Sequence, residues 1–556
     1  MRSLSRSWPQ GGAAVITRFL GALAVSSALV TAAPAGAAEV LEIQLEHLQI
    51  PINLRHLQRW SQGNSELSLE ADLANGGSDQ DLWLGLLNPA SRRELKQLLR
   101  APLLRDRSFG RQLLDSWAGG QLLGELGELL TTEAGKPTTG QLQASLRQLL
   151  RQQQSVSLID LLVALPEPHL NLRLDGLLEL AAQWRRQLRQ QRHALVNLAL
   201  MRLPPRQAEP LDEADGPPPP LQRLSLVVPH RPNPLPVEIW ASAQPGRAER
   251  PWVLLLPGLG GNADQLGWLA SALAQRGWTT VALQHPGSDS AALKASLAGQ
   301  RPPPGAEVLA ERLADVKALL AAQRSGGLPV QGDGMVLLGH SLGGVTALMA
   351  AGLKPEPGLD RRCARAVERL PITNLSLLLQ CQLPAAALPP ALPRSAELRG
   401  VVLFNSFGSL LWPERGLRDL RVPALLVGGS LDLVTPPLQE QLELFLPVGH
   451  PRSRLALVQG GSHFSPLRLA PGDEALFRLG SDWVGVEPEA VQGLLLGLTS
   501  DFLDSLARPV ARQVARQVAR SAARQVARPG SSLRLLHRGV TAYVLDPAAA
   551  ARWRGR

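Results

Sequence analysis

A mainly helical domain followed by a mostly parallel β-sheet covered by helices on both faces is the fold class this sequence predicts. Three observations carry it. Beyond residue 221, eight short apolar runs rich in Val and Leu alternate with helical stretches, the rhythm of strands buried on both faces. Before residue 203, leucines recur at the three- and four-residue spacing of amphipathic helices. Between the two, Leu203 to Pro220 shifts to Pro, Glu, Asp and Gln and ends in four consecutive prolines, which cannot build a core. At 556 residues the chain is also too long for one ordinary core.

The elements follow in order. Residues 1–37 read as an export leader: Arg2, Arg6 and Arg18 precede an apolar run from Phe19 to Ala33, closed by Ala35-Gly36-Ala37. That run is shorter than the roughly 20 residues that span a bilayer. Cleavage rather than anchoring is therefore expected, with the mature protein exported to the periplasm or another extracytoplasmic compartment.

Residues 38–202 form the helical domain. It opens on a short strand in which Leu41, Ile43 and Leu45 alternate with polar residues. Asn88-Pro89 then lead into a capping box at Ser91 and Glu94, and leucine periodicity recurs in 141–152, 157–165 and 174–201. A linker at 203–221 gives way to the sheet domain at 222–507, with strands predicted at 224–228, 237–241, 252–256, 279–283, 335–338, 401–404, 424–427 and 455–458. An insertion at 354–398 carries the apolar stretch Leu375 to Leu379 and both cysteines, Cys363 and Cys381. It reads either as a cap over a substrate or as plain packing. With two cysteines, a thiolate metal site is excluded. Export makes a Cys363–Cys381 disulfide plausible, two inert buried thiols being the alternative.

Residues 508–556 hold eleven arginines against one acid, so this tail accounts for the whole net charge of +10, and the remainder is balanced. The basic pI thus gives no reason to expect a nucleic-acid partner. A tetrapeptide repeat, Ala511-Arg512-Gln513-Val514 and its successors, drifts about 40° per repeat on a 3.6-residue helix, which spreads the arginines around the surface. A solvated helix is the plain reading. Peripheral contact with an anionic membrane or polymer is the functional one.

The chemistry concentrates in four turns. Gly339-His340-Ser341-Leu342-Gly343-Gly344 follows the apolar run Met335 to Leu338 and precedes a helical stretch. A nucleophile elbow needs that context, because only small neighbours allow the tight strand-to-helix turn that lifts a serine Oγ above the sheet. Serine also needs a base oriented by an acid, downstream in the order Ser, Asp or Glu, His. Asp432, after the run 424–427, and His463, after 455–458, supply both on glycine-rich loops at strand ends. Pro257-Gly258-Leu259-Gly260-Gly261 supplies an oxyanion loop, with the N–H groups of Leu259 and Leu342 as donors. The plainer readings are a structural glycine turn for the elbow and for the oxyanion loop, a helix N-cap for Asp432 and a surface-loop histidine for His463. His285 reads as a loop-shaping residue, His340 as the variable elbow position and Glu414 as a rival acid.

Together, Pro257 to Gly261, His285-Pro286-Gly287, Gly339 to Gly344, Asp432 and Gly461-Ser462-His463-Phe464 resemble an exported, predominantly cyanobacterial α/β-hydrolase family. Its members carry an uncharacterised helical N-terminal domain and the label of predicted dienelactone hydrolases. The resemblance covers residues 39–507, and the hydrolase part is also similar to platelet-activating-factor acetylhydrolases and related lipases. It implies hydrolysis of carboxylic esters, including lipid acyl esters, with Ser341, Asp432 and His463 as triad and no metal or organic cofactor. Two departures stand out. Animal platelet-activating-factor acetylhydrolases place the acid after the sixth strand, where this chain has Asn405-Ser406-Phe407-Gly408 and no carboxylate. A dienelactone hydrolase proper uses a cysteine nucleophile. The alternatives are a peptidase of the same fold and a non-catalytic envelope binding protein, the second opposed by the intact Ser, Asp, His and oxyanion loop.

Overall fold

The computed structural model describes residues 37–45, 48–62, 88–104, 114, 117–208, 219–243, 250–302, 304–305, 307–368, 371–383, 392–393, 395, 397–468, 488–507 and 532–554. The expected leader and the arginine repeat lie outside them. The N-terminal domain is mixed rather than helical alone. Strands β1 (Val40–Leu45) and β2 (Leu48–Asn53) form a hairpin, and β1 also pairs in parallel with the later β6. Helices α1 (Leu54–Gln62) and α2 (Pro89–Arg100) follow, then β3 (Pro102–Leu104), α3 (Trp117–Leu129), β4 (Leu130–Thr132), α4 (Thr139–Gln152), β5 (Val156–Ser157), α5 (Leu158–Val163) and β6 (His169–Arg173). The four-stranded sheet runs β2-β1-β6-β4; β1 is the strand that the alternation of Leu41, Ile43 and Leu45 predicts, and β4, with three residues, is too short to read. Helix α2 starts earlier than the Ser91 capping box. Asn88 caps it by accepting the Ser91 N–H at 2.8 Å, with Pro89 at the first helical position, where its missing N–H costs nothing. Leu54, Leu142, Leu150 and Leu170 close a core separate from the rest of the chain.

Helix α6 (Leu174–Leu200) leaves that domain and lays Leu198 and the adjoining Met201 into the main core. The main sheet is built of β7 (Pro205–Gln207), β8 (Leu221–Leu226), β9 (Leu235–Trp240), β10 (Trp252–Leu256), β11 (Thr280–Leu283), β12 (Met335–His340), β13 (Leu398–Phe404), β14 (Ala424–Gly429), β15 (Arg454–Val458), β16 (Leu533–His537) and β17 (Val540–Leu545). Its order is β7-β16-β17-β15-β14-β13-β12-β10-β11-β9-β8. All eight strands read from the apolar runs are present. One end of the sheet departs from the sequence reading: β7 emerges from the expected linker and the hairpin β16–β17 from what reads as tail, and together they extend the sheet past β15, while the other end closes on the expected strand β8. Leu533 to Leu545 alternates well enough for strands, but the adjacent arginine repeat dominates its composition.

The six strands from β11 to β15 are parallel, and helices cover both faces. Alternation distributes each strand between two cores: Leu254, Leu256 and Leu337 point to one side, Val253, Leu255, Val336 and Leu338 to the other. Helices α9 (Glu307–Arg324) and α10 (Leu342–Ala350) cover the first face, α7 (Gly267–Gln275) and α13 (Pro488–Ala507) the second. Helix α8 (Ser290–Leu297) follows β11, α11 (Leu359–Ala366) and α12 (Ser376–Cys381) lie in the insertion, and α14 (Pro547–Arg554) ends the described chain. The chain leaves β10 for β11 on one side and returns as β12 on the other. Such a reversal opens a crevice at the strands' carboxyl ends, the usual place for ligands in this kind of sheet.

Candidate active site

Ser341 stands at that crevice, in the turn between β12 and α10. Its backbone has φ 51° and ψ −122°, a region that side chains other than glycine's enter only when their surroundings impose it, at a cost of about 1–3 kcal/mol. Here the Ser341 N–H donates to Phe404 O at 2.9 Å, and its carbonyl accepts from Gly344 N at 2.9 Å. The glycines make the turn possible. A Cβ on Gly343 would overlap the carbonyl of Leu256 and lie 2.6 Å from that of Pro257. A Cβ on Gly258 would sit 3.2 Å from the Ser341 Cβ, so the loop after β10 presses directly on the elbow. Leu259 is the next residue of that loop, and Leu342 opens α10 on the other side of Ser341.

Asp432 and His463 hang from the ends of the neighbouring strands β14 and β15. The His463 Nδ1 lies 3.0 Å from Asp432 Oδ2, and both side chains are buried. The carboxylate is held by further donors: Asn405 Nδ2 at 2.6 Å and Thr435 Oγ1 at 2.5 Å on Oδ2, and the Val434 and Thr435 N–H groups at 2.9 and 2.8 Å on Oδ1. Burial pushes the Asp432 carboxyl up, but His463 and Thr435 outweigh it and hold it below the usual carboxylate range. The two oxygens divide the work, Oδ1 closing the loop onto the Val434 and Thr435 N–H groups and Oδ2 meeting His463; no helix starts at Asp432, since the next helical turn is capped at Pro437, so the N-cap reading does not hold. An ionised carboxylate on Nδ1 keeps the proton there and leaves Nε2 as the acceptor, the tautomer a general base requires.

His340 ties this pair to the elbow. Its Nε2–H donates to the His463 carbonyl at 2.9 Å, and the two rings lie 5.0 Å apart. Burial and the neighbouring His463 lower its pKa to about 3, so it stays neutral. His285 is absorbed elsewhere: its buried Nδ1 lies 2.8 Å from Asp315 Oδ2, and burial together with Arg312 lowers its pKa to about 3. Glu414 is exposed; its backbone N–H meets Glu356, and the acid in contact with His463 is Asp432.

Sequence reasoning missed the acid's supports. Asn405, just after β13 at φ 47°, serves Asp432 as a donor. Gln191 of α6 donates to the Asp432 carbonyl at 3.4 Å, linking the long helix to the acid's loop. Only an asparagine after a strand, a residue type that tolerates positive φ, hinted at the first.

The insertion is stapled and clamped above the site. Cys363 and Cys381 form a disulfide with a Cα–Cα distance of 5.2 Å. Glu440, fully buried in a π-helical turn (Leu438–Leu442), accepts from Asn374, Ser376 and Gln380 of the insertion and from the Gly408 and Ser409 N–H groups. A small apolar cavity between the insertion and the elbow is lined by Leu342, Val345, Leu379, Leu383 and Phe407.

Two family models match separate stretches: one described as alpha/beta hydrolase of unknown function (DUF1400), over residues 37–173, and one described as alpha/beta hydrolase fold, over residues 251–396. The fold is that of the α/β hydrolases. No curated protein matches the chain. The first hydrolase model ends where α6 begins, and the second spans β10 to the insertion, so it includes Ser341 and stops short of Asp432 and His463.

Proposed function

We propose that this α/β hydrolase cleaves carboxylic esters, lipid acyl esters among them, through a covalent acyl-enzyme. In this reading Ser341 attacks the ester carbonyl, and His463 takes its proton and returns it to the leaving alcohol. Asp432 orients the imidazole and stabilises its charged form, and the N–H groups of Leu259 and Leu342 receive the oxyanion. The observation that carries it is the His463–Asp432 contact of 3.0 Å, held beside the strained Ser341 turn by the His340 hydrogen bond. The disulfide supports an oxidising, extracytoplasmic home. The arginine repeat, outside the described residues, is proposed to hold the protein at an anionic surface.

Labelling the purified protein with a fluorophosphonate, beside Ser341→Ala, tests the reading, together with hydrolysis of p-nitrophenyl esters of rising chain length. The wild type is expected to label and to turn over esters, and Ser341→Ala to do neither. A wild type that does not label ends the catalytic assignment, and turnover of amides alone would favour a peptidase.

A further inference from the structure

Arg312, on α9, is fully buried, and among the described residues it makes no ion pair. Its guanidinium is committed to neutral oxygens. Nη2 donates to Pro257 O, Nη1 to Gly258 O at 3.4 Å and to Ser288 Oγ at 2.9 Å, and Nε to Thr346 Oγ1 at 3.1 Å. Thr346 passes its own proton on to Leu342 O at 2.9 Å. One cation thus joins the loop after β10 to the first turn of α10. Burying a charge whose hydrogen bonds all go to neutral oxygens is expensive even with Asp315 and Asp289 acting on it from further off, and a purely structural strut would be built more cheaply from an amide.

The contact with Gly258 explains what this charge can do. A trans peptide is planar and its C=O and N–H point in opposite directions, so holding Gly258 O on one side aims the Leu259 N–H to the other. A cation on the carbonyl also polarises the amide and strengthens its N–H as a donor.

Resting on the ester-hydrolase reading above, we infer that Arg312 is a positioning residue for the oxyanion hole, fixing the Gly258–Leu259 peptide and the start of α10 in the orientation the tetrahedral intermediate needs. The inference concerns the transition state, so it separates from a role in packing alone. Burial lowers the Arg312 pKa to about 9 against the opposing pull of Asp315 and Asp289, and the group remains a cation at neutral pH.

The test uses the full-length protein as wild type, Arg312→Lys, Arg312→Ala and Thr346→Val. Each is measured for thermal midpoint, for kcat and KM on p-nitrophenyl butyrate, and for inhibition by a trifluoromethyl ketone, whose tetrahedral adduct loads the oxyanion site. In Arg312→Lys, kcat is expected to fall about 100-fold, the scale of a small misplacement at the reacting centre, with KM within about twofold. Inhibitor affinity should weaken in parallel with kcat/KM, and ethylguanidinium should restore part of the kcat of Arg312→Ala. Thr346→Val, which removes the acceptor for Arg312 Nε and the donor to Leu342 O while keeping the shape, should lose several-fold in kcat at a near-normal midpoint. It decides the matter if the Arg312 variants do not fold. Folded variants with wild-type kcat, or a kcat that falls while inhibitor affinity stays constant, overturn the inference. A wild type inert to both ester and fluorophosphonate overturns the hydrolase reading instead.

Discussion

Removing the Asn405 side chain tests how the acid is held. Asn405 Nδ2 lies 2.6 Å from Asp432 Oδ2, and both residues are buried, so no water replaces the lost donor. A hydrogen bond to a buried charge is worth about 1.5–3 kcal/mol. The carboxylate keeps His463, Thr435 Oγ1 and two backbone amides, so its ionised form is weakened but not abandoned. Asn405→Ala should therefore lose about 2 kcal/mol of stability and about tenfold in kcat/KM, well short of the loss in Asp432→Ala. Alanine also pays roughly 1 kcal/mol for the φ of 47°, which glycine does not. Asn405→Gly separates the two effects. Equal losses of kcat/KM in both variants, measured by ester hydrolysis beside denaturant unfolding, assign the effect to the donor. Recovery of activity in the glycine variant assigns it to the backbone. Wild-type activity and stability in both would refute the idea that Asn405 supports Asp432.

The other predictions concern the frame. Glu440→Gln places an N–H₂ among donors that now converge on a buried carboxylate, and should destabilise by about 3 kcal/mol; an unchanged thermal midpoint refutes the clamp. Gly343→Ala forces a Cβ onto the Leu256 and Pro257 carbonyls and should leave the protein inactive and largely insoluble, with soluble active protein as the contrary result. Stability should also fall on the acid side. His285 and His340 titrate near 6.5 when unfolded and at about 3 when buried, so between those values the unfolded chain binds more protons. Stability is then full above pH 6.5 and declines as the pH drops, by up to about 1.4 kcal/mol per pH unit for each histidine. Thermal midpoints recorded from pH 8 to 4 should show it, and a flat profile would contradict the burial of these rings as neutral groups.

The six parallel strands were legible because burial on both faces demands unbroken Val and Leu runs. The elbow, Asp432 and His463 were legible because glycine-rich turns must flank side chains presented at strand ends. What escaped is defined by partners distant in sequence. Nothing in the sequence around Glu311-Arg312-Leu313 singles out Arg312, yet it is buried against Pro257 and Gly258. Asn405 looks like a lost carboxylate, and only its contact with Asp432, 27 positions later, gives it a task. In the N-terminal domain only β1 was read; β4 of its sheet and the separate β3–β5 pair are too short for period-two alternation to emerge.

The strand that carries His463 is completed late. β15 pairs with β17 from Leu455↔Leu545 to Val458↔Ala542, and Gln459 N donates to Thr541 O at 2.9 Å, so the ladder reaches almost to the base's loop. Until residues 540–545 are in place, Leu455-Ala456-Leu457-Val458 is an apolar edge with unpaired amides. A shortened chain ending before β16 keeps every residue assigned to the chemistry and still loses the partner that aligns its base.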